Sequence, residues 1–515
     1  MAKDKYTDYQ ERRRKQSIAN NPAKVEKVHS KGKLTAQERL QKLFDNADYE
    51  ETRPWRRNQC IAFDLYKKDP ENEGVITSFG KVYGRRVYAF SQDASVMGGS
   101  VGEAHGEKIC KTIDDAVKTG CPIVGINDAS GARIQEGVAG LNGYCTIFGR
   151  TSVASGSVPQ ISIIAGTAAG GTAYASALTD FIIMAKNVGK MFITGPAVIK
   201  AVTGEEVTFD DLGGAKVHGP KTGLAHFVTE TEEEAIETAK ILLSFLPPNA
   251  KEKPPVYACN DPVTRKTPEI KDIIPLEPTH SFDMLSVIQA VMDNRYFMEV
   301  QEQFAKNIII GFGRINGKTV GVVGNQPKIM AGVIDIDAAW KAARFVRFCD
   351  SFNIPLVVFA DCPGYMPGVD QEHNGIIRNG SKMLFSFSEA TVPKIKVVIR
   401  KDYGGAYSAM CGKGMGADVC LSLPTGELAV MGASGAADIV FKREIKSADD
   451  PVAAKAEFVE KYEDEYLNPY RGAEYGIVDD VIEPEDLRSK LALHLEALEE
   501  KEIYTPYKKH SNIPL

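Results

Sequence analysis

The sequence predicts an α/β protein made of two tandem copies of one domain. Three observations predict it. The chain of 515 residues matches itself at an offset of 233. Short apolar runs alternate with stretches of helical apolar spacing in both copies. Each copy then places a glycine turn between a buried run and a helix.

The self-match is long. GVITSFGKVYGRRVYAF (74–90) lies over NIIIGFGRINGKTVGVV (307–323), and CPIVGINDASGARIQEG (121–137) lies over IPLVVFADCPGYMPGVD (354–370). Between Phe79 and Gly131 eleven of 53 aligned pairs are identical, where composition alone gives roughly three. They include Gly80/Gly313, Gly84/Gly317, Lys108/Lys341, Asp128/Asp361 and Gly131/Gly364. One inserted residue later, VPQISIIAGTAAGGTAY (158–174) lies over VPKIKVVIRKDYGGAYS (392–408). A period above 200 residues means a duplicated domain, not a solenoid.

The elements follow in order. Gly80–Gly84 and Gly313–Gly317 read as hairpin turns between short strands. Residues 103–119 and 335–352 have helical apolar spacing. IVGIN (123–127) and LVVFA (356–360) read as buried strands, as do ISIIAG (161–166) and IKVVIR (395–400). The Pro- and charge-rich stretch 247–278 reads as a linker. The expected domains are 1–255 and 270–515.

Composition narrows the function. Hydrophobic residues are 43% and charged residues 25%, so disorder is excluded. The net charge of −6 gives no argument for nucleic acid. Residues 1–44 hold twelve Lys/Arg and five Asp/Glu, net +7, leaving −13 for the rest. Such an arm reads as a solvated helical face or as an edge for a phosphorylated ligand. The nine cysteines are scattered without a CxxC, which suits reduced thiols and a cytoplasmic protein and gives no metal site. The N-terminus lacks the apolar core of a secretory leader. The uncharged run Thr151–Thr179 is too polar and glycine-broken for a membrane span.

The chemistry is expected at the glycine turns, Gly170-Gly171 and Gly404-Gly405-Ala406. A residue without a side chain lets a ligand reach the backbone. The first N–H groups of a helix have no internal partner and carry the positive end of its dipole. That geometry stabilises an oxyanion or enolate. The loops Ser130-Gly131-Ala132 and Pro363-Gly364-Tyr365 follow the preceding strands and are placed to add a donor or a wall. No GxSxG, HExxH or phosphate-binding loop motif occurs.

On these residues the chain resembles the biotin-dependent acyl-CoA carboxyltransferases, the family of propionyl-CoA carboxylase β and methylmalonyl-CoA decarboxylase α subunits. The matching stretches run in order over nearly the whole chain. They include HSKGKLTAQERL (29–40), NDASGARIQEGV (127–138), AGGTAY (169–174), GVIDIDAAWKAARFVRFCDSFNIPLV (332–357), RKDYGGAYSAM (400–410) and YGIVDDVIEP (475–484).

The resemblance implies two tandem crotonase-like (ClpP/crotonase) domains and a homohexamer, a trimer of dimers. It also implies an active site where the first domain of one subunit meets the second of its partner. One side is implied to bind acyl-CoA and the other carboxybiotin. Carried over by motif, Gly170 and Gly171 hold the thioester oxygen, and Gly405 and Ala406 hold the biotin ureido oxygen. Gly131, Ala132, Arg133, Gly364, Tyr365, Tyr407 and Ser408 are the implied substrate-binding residues. Ser408 is expected to help set the acyl group accepted. DASGARI here replaces the family's usual DSGGARI, and no cysteine-rich zinc ribbon precedes the first domain.

The chain has no Met-Lys-Met acceptor, so biotin is expected on a separate biotin carboxyl carrier protein. The further partner is a biotin carboxylase subunit or membrane decarboxylase subunits, which would hold the chain peripherally at a membrane. The direction stays open between carboxylase, sodium-pumping decarboxylase and transcarboxylase. Two other readings are a biotin-independent crotonase-type enzyme, which wants a Glu/Asp pair near the oxyanion hole, and a non-catalytic scaffold subunit. A Gly171→Val or Gly405→Val variant is expected to fold and lose transfer.

Overall fold

The computed structural model describes residues 4–17, 21–67, 71–277 and 279–514. The chain divides into two compact units, Met1–Glu252 and Lys253–Leu515.

In the first unit eight strands make one sheet: β1 Tyr49–Thr52, β2 Val75–Val82, β3 Arg85–Gln92, β4 Ile123–Ala129, β5 Gln160–Ala169, β6 Phe181–Ala185, β7 Lys190–Phe192 and β8 Phe227–Thr229. Their order is β1-β2-β3-β4-β5-β6-β8, with β7 paired to β5. The β1/β2 and β2/β3 pairs are antiparallel, and the pairs from β3 onward are parallel. The second unit repeats this: β9 Phe297–Val300, β10 Ile308–Ile315, β11 Lys318–Asn325, β12 Leu356–Cys362, β13 Lys394–Tyr403, β14 Val419–Ser422, β15 Glu427–Ala429 and β16 Asp480–Val481. Here the order is β9-β10-β11-β12-β13-β14-β16, with β15 on β13. Parallel pairing requires long crossovers, and helices supply them.

The hairpin turns are tighter than the Gly-to-Gly spacing suggests. Gly80 lies inside β2 and Gly313 inside β10. The turn residues are Tyr83-Gly84 and Asn316-Gly317, all with positive φ. An aspartate closes each turn: Asp45 accepts from the N–H groups of Tyr83 and Gly84, and Asp293 from those of Asn316 and Gly317.

Helices named below are α1 Ala36–Leu43, α2 Glu103–Thr119, α3 Val138–Ala154, α4 Gly171–Ala177, α5 Glu232–Phe245, α6 Ile336–Ser351, α7 Ile376–Glu389 and α8 Gly405–Ala409. The apolar spacing read at 103–119 and 335–352 is thus α2 and α6. Ile109, Ile113 and Ala116 of α2 pack with Ile123 of β4 and Ile147 of α3. In the second unit Val322, Val357 and Val397 of adjacent strands form a core with Ile288 and Leu491.

The stretch expected to be a linker is built into the second unit from Lys253 onward. Arg265 donates to the carbonyls of Ala290 and Met292, and the Thr267 N–H donates to Glu485 O. The prolines and charges there mark irregular backbone that is tied down by hydrogen bonds.

The basic arm is partly structural. Arg39 of α1 is 1% exposed and binds Glu232 of α5 at 2.7 Å and Asp128 of β4 at 3.2 Å. Lys33 adds two bonds of 3.0 Å to the same Asp128 carboxylate.

Candidate functional site

The site begins at a bend in the sheet. Between Asn127 and Ala129 of β4, β5 passes from Ile164 to Ala168, so four steps on one strand oppose two on the other. The second unit repeats this, with Ala360 to Cys362 opposite Val398 to Asp402. The bulge lies on β5 and β13, and the single residue facing it is Asp128 in one copy and Asp361 in the other. Asp128 accepts from the Thr167 N–H at 3.2 Å, and Asp361 from the Lys401 N–H at 3.1 Å. Arg39 neutralises Asp128, and Arg400 does so for Asp361 at 2.8 Å. Bulges of this kind re-aim the strand that follows.

Each bent strand ends in the glycine turn. Gly170 has φ 59° and ψ −121°, and Gly404 has φ 56° and ψ −130°. L side chains rarely adopt this backbone, so glycine is required at both positions. The helix begins at the next residue, Gly171 in α4 and Gly405 in α8.

The amides of the two turns fall into matching roles. The Gly170 N–H donates to Phe192 O at 3.0 Å, across the β5–β7 contact, and the Gly404 N–H donates to Ala429 O at 2.9 Å. Gly170 is therefore the turn residue and not a donor to a ligand, which corrects its expected role. Among the described residues no acceptor reaches the N–H of Gly171, Thr172, Gly405 or Ala406. Each turn thus offers two adjacent backbone donors: Gly171 and Thr172 in the first unit, Gly405 and Ala406 in the second. Thr172 was missed, although aligning AGGT with YGGA by the repeat places it opposite Ala406.

The flanking loops come to these turns. A Cβ built on Gly171 would lie 2.5 Å from the Tyr144 ring, and one on Gly405 would lie 3.3 Å from the Tyr365 ring. Tyr365 thus stands at the second turn. Gly131 has φ 109°, and a Cβ built on it would lie 3.9 Å from Ala169 O, so its loop borders the first turn. Ala132 beside it is exposed, and Gly364 is half-buried with φ 148°.

Two expected ligand groups are anchored in the protein. Arg133 is fully buried and binds Glu73 and Glu136, each at 2.8 Å. Its guanidinium holds the loop through these two carboxylates, so the side chain carried over as a ligand group is engaged within the protein. Tyr407 receives the Lys413 N–H on its hydroxyl at 3.2 Å, and its ring lies 4.6 Å from the Lys396 ammonium. Ser408 follows it on α8 and is half-buried. The equivalent residue of the first copy is Tyr174, 50% exposed.

Burial raises the Tyr144 phenol to about 12 and pushes Tyr365 higher still. Both stay neutral near pH 7 and act as walls. Among the described residues no cluster of His, Cys, Asp or Glu gathers as a metal site, and no helix is long and apolar enough to cross a membrane.

Comparison with known proteins decides the family. The carboxyl transferase domain family matches residues 27–513. The chain belongs to this family. It is 48% identical over 515 residues to methylmalonyl-CoA decarboxylase subunit alpha of Propionigenium modestum, covering 100% of both chains. It is 49% identical over 512 residues to the carboxyltransferase subunit of propionyl-CoA carboxylase from Haloferax mediterranei, covering 99% of each. Among solved structures, transcarboxylase 12S with methylmalonyl-coenzyme A bound superposes with a TM-score of 0.93 at 49% identity, over 96% of this chain and 94% of that one. The two similar sheets are therefore two crotonase-like carboxyltransferase domains, and the chain is an acyl-CoA carboxyltransferase of the biotin-dependent kind.

Proposed function

We propose that this chain moves a carboxyl group between biotin on a separate carrier protein and the α-carbon of a short acyl-CoA, with propionyl-CoA and methylmalonyl-CoA as the pair. The observation that carries the proposal is the duplicated turn with two unpartnered adjacent N–H groups. A reaction with two partners that each develop charge on a carbonyl-type oxygen needs two such holes.

The Gly171 and Thr172 amides donate to the thioester oxygen. Their bonds strengthen as that oxygen gains charge on loss of the α-proton, which lowers the barrier and not the ground state. One such donor is worth roughly 100- to 1000-fold in rate. The Gly405 and Ala406 amides fit the oxygen of a ureido ring, a strong acceptor with no side-chain demand. Biotin, when bound there, supplies the ring nitrogen that carries the carboxyl group and exchanges the proton. The chain orients both partners through backbone, which accounts for the lack of a conventional acid–base side chain at either turn.

The direction follows the partner. With a biotin carboxylase subunit the chain acts as a carboxylase. With membrane decarboxylase subunits it runs in reverse, as a decarboxylase, the activity in the name of the Propionigenium modestum relative. A homohexamer in the cytoplasm, or peripheral on a membrane complex, is the proposed assembly. The test is to purify the native complex, identify its biotinylated polypeptide, and assay a panel of acyl-CoAs for bicarbonate fixation and of malonyl-type CoAs for CO₂ loss. A complex with no biotinylated member and no activity on propionyl- or methylmalonyl-CoA would overturn the proposal.

A further inference from the structure

The two copies differ in one buried feature beside the turn. In the second unit Lys396 and Asp402, both on β13 and both fully buried, meet at 2.7 Å. Six residues of straight strand span ~20 Å. Only the bend between Val398 and Asp402 brings them together. The ammonium also donates to Tyr407 O at 3.0 Å. Among the described residues no other donor reaches the Asp402 carboxylate.

The first copy does without this pair. By the repeat, Ser162, Ala168 and Ala173 stand where Lys396, Asp402 and Tyr407 stand in the second. All three are buried, so the setting is the same and the charges are absent. The sheet order and the bend are alike in both units. The fold therefore does not require the pair. A buried ion pair is also weak support for stability, since desolvation offsets much of the attraction.

What differs is the helix. α4 runs seven residues from Gly171 to Ala177, and α8 only five, from Gly405 to Ala409. In α4 the Ala173 carbonyl lies four residues before Ala177 and can be satisfied within the helix. In α8 the chain leaves the helix at Met410 and turns to positive φ at Cys411, so Tyr407 O loses its helical donor. Lys396 takes that place. A carbonyl two residues after Gly405 is thereby tied to the strand beneath, on the helix whose first amides are Gly405 and Ala406.

We propose that Lys396 and Asp402 are positioning residues of the biotin-side turn: the pair braces the bent strand and fixes α8 so that the Gly405 and Ala406 amides hold one direction. This rests on the assignment of that turn to biotin. Holding donors to a defined direction matters because a displacement of about 1 Å can cost 100-fold.

The experiment uses the full chain with free biotin as probe. Transfer from methylmalonyl-CoA breaks its bond to the carboxyl carbon, forms the bond from that carbon to the ring nitrogen, and moves the nitrogen's proton to the α-carbon. The double variant Lys396→Met/Asp402→Ala is compared with the natural chain. The expected result is a melting temperature close to that of the natural chain, an unchanged KM for methylmalonyl-CoA, and kcat/KM for biotin reduced roughly 10- to 100-fold. Unchanged kcat/KM for biotin, or a KM for methylmalonyl-CoA raised by a similar factor, overturns the inference. Should that variant fail to fold, Lys396→Gln/Asp402→Asn replaces it with the same expectation. Unfolding of both would make the pair structural and also overturn it. If the natural chain itself transfers nothing to biotin, the assignment of the turn fails instead.

Discussion

Alanine at Gly171 should cost stability that alanine at Gly405 does not. A Cβ on Gly171 would stand 2.5 Å from Tyr144 Cδ1 and Cγ and 2.8 Å from Cδ2, whereas carbon contacts settle near ~3.5 Å or more. The ring has to retreat by about 1 Å. It has little room to do so. Tyr144 is 3% exposed, its hydroxyl is held 2.7 Å from Thr172 Oγ1, and its ring lies 6.0 Å from Phe148. Its helix is blocked too, since a Cβ on Gly106 of α2 would already sit 3.0 Å from Gly143 Cα. Overpacking costs about 1–3 kcal/mol, and contacts this short against a fixed ring call on the upper part of that range, about 2–3 kcal/mol, from which about 1 kcal/mol of helix propensity is recovered. A net loss of about 1–2 kcal/mol lowers the melting point of a unit this size by roughly 2–8 °C. At Gly405 the nearest atoms are Tyr365 Cδ2 and Cε2 at 3.3 and 3.4 Å, and the residue is exposed. A shift of a few tenths of an ångström suffices, and propensity offsets it. Calorimetry on both variants, with carboxyl transfer measured alongside, tests this. The Gly405→Ala chain should melt like the natural one and transfer slowly, because its methyl group intrudes on the donor pair. Equal melting points for the two variants would refute the reasoning. So would a large fall for Gly405→Ala alone. The Gly171→Val variant, once expected to fold, meets the same ring with two more carbons.

Three further outcomes follow. Arg133→Ala strands the buried Glu73 and Glu136 carboxylates, a loss of about 3–5 kcal/mol; a soluble variant with only a raised KM for acyl-CoA would contradict this. His105 is fully buried, donates from Nδ1 to Glu73 O at 2.8 Å and receives Gln92 Nε2 at 3.2 Å. Burial, helped by Arg133, holds its pKa down to about 3, so below pH ~6.5 the unfolded chain takes a proton that the folded chain refuses. Stability then falls as pH drops from ~6.5, by up to ~1.4 kcal/mol per unit; denaturant midpoints between pH 7 and 4.5 should fall more steeply for the natural chain than for His105→Gln, and parallel profiles would exclude the mechanism. Ser408→Ile should shift the acyl-CoA preference by about tenfold or more through lost space and polarity, and an unchanged ranking across a panel of acyl-CoAs would remove Ser408 from specificity.

The repeat was legible because duplicated turns and bulges demand the same residues twice. Asp128/Asp361, Gly84/Gly317 and Gly131/Gly364 survive where a carboxylate must cap a bend or the backbone must take positive φ. The strand partners were not legible. Gly170 looks like a donor in the sequence, and only β7, twenty residues later, reveals that its N–H is taken by Phe192. Arg133 sits in a motif that suggests a ligand, but its partner Glu73 lies sixty residues away. Lys396 and Asp402 are too far apart on any straight strand for pattern reading to pair them. The boundary between the two units falls inside the stretch read as a linker, and the residues after it are tied down by hydrogen bonds: prolines report irregular backbone, and burial decides whether it is loose.

The central claim is that two backbone holes of one fold serve two partners in a single carboxyl transfer. The most direct measurement incubates the purified chain with methylmalonyl-CoA labelled in the free carboxyl carbon, with and without biotin. The account predicts labelled carboxybiotin and unlabelled propionyl-CoA in equal amounts, only when biotin is present. Release of labelled CO₂ at the same rate without biotin, or no loss of label at all, would contradict it.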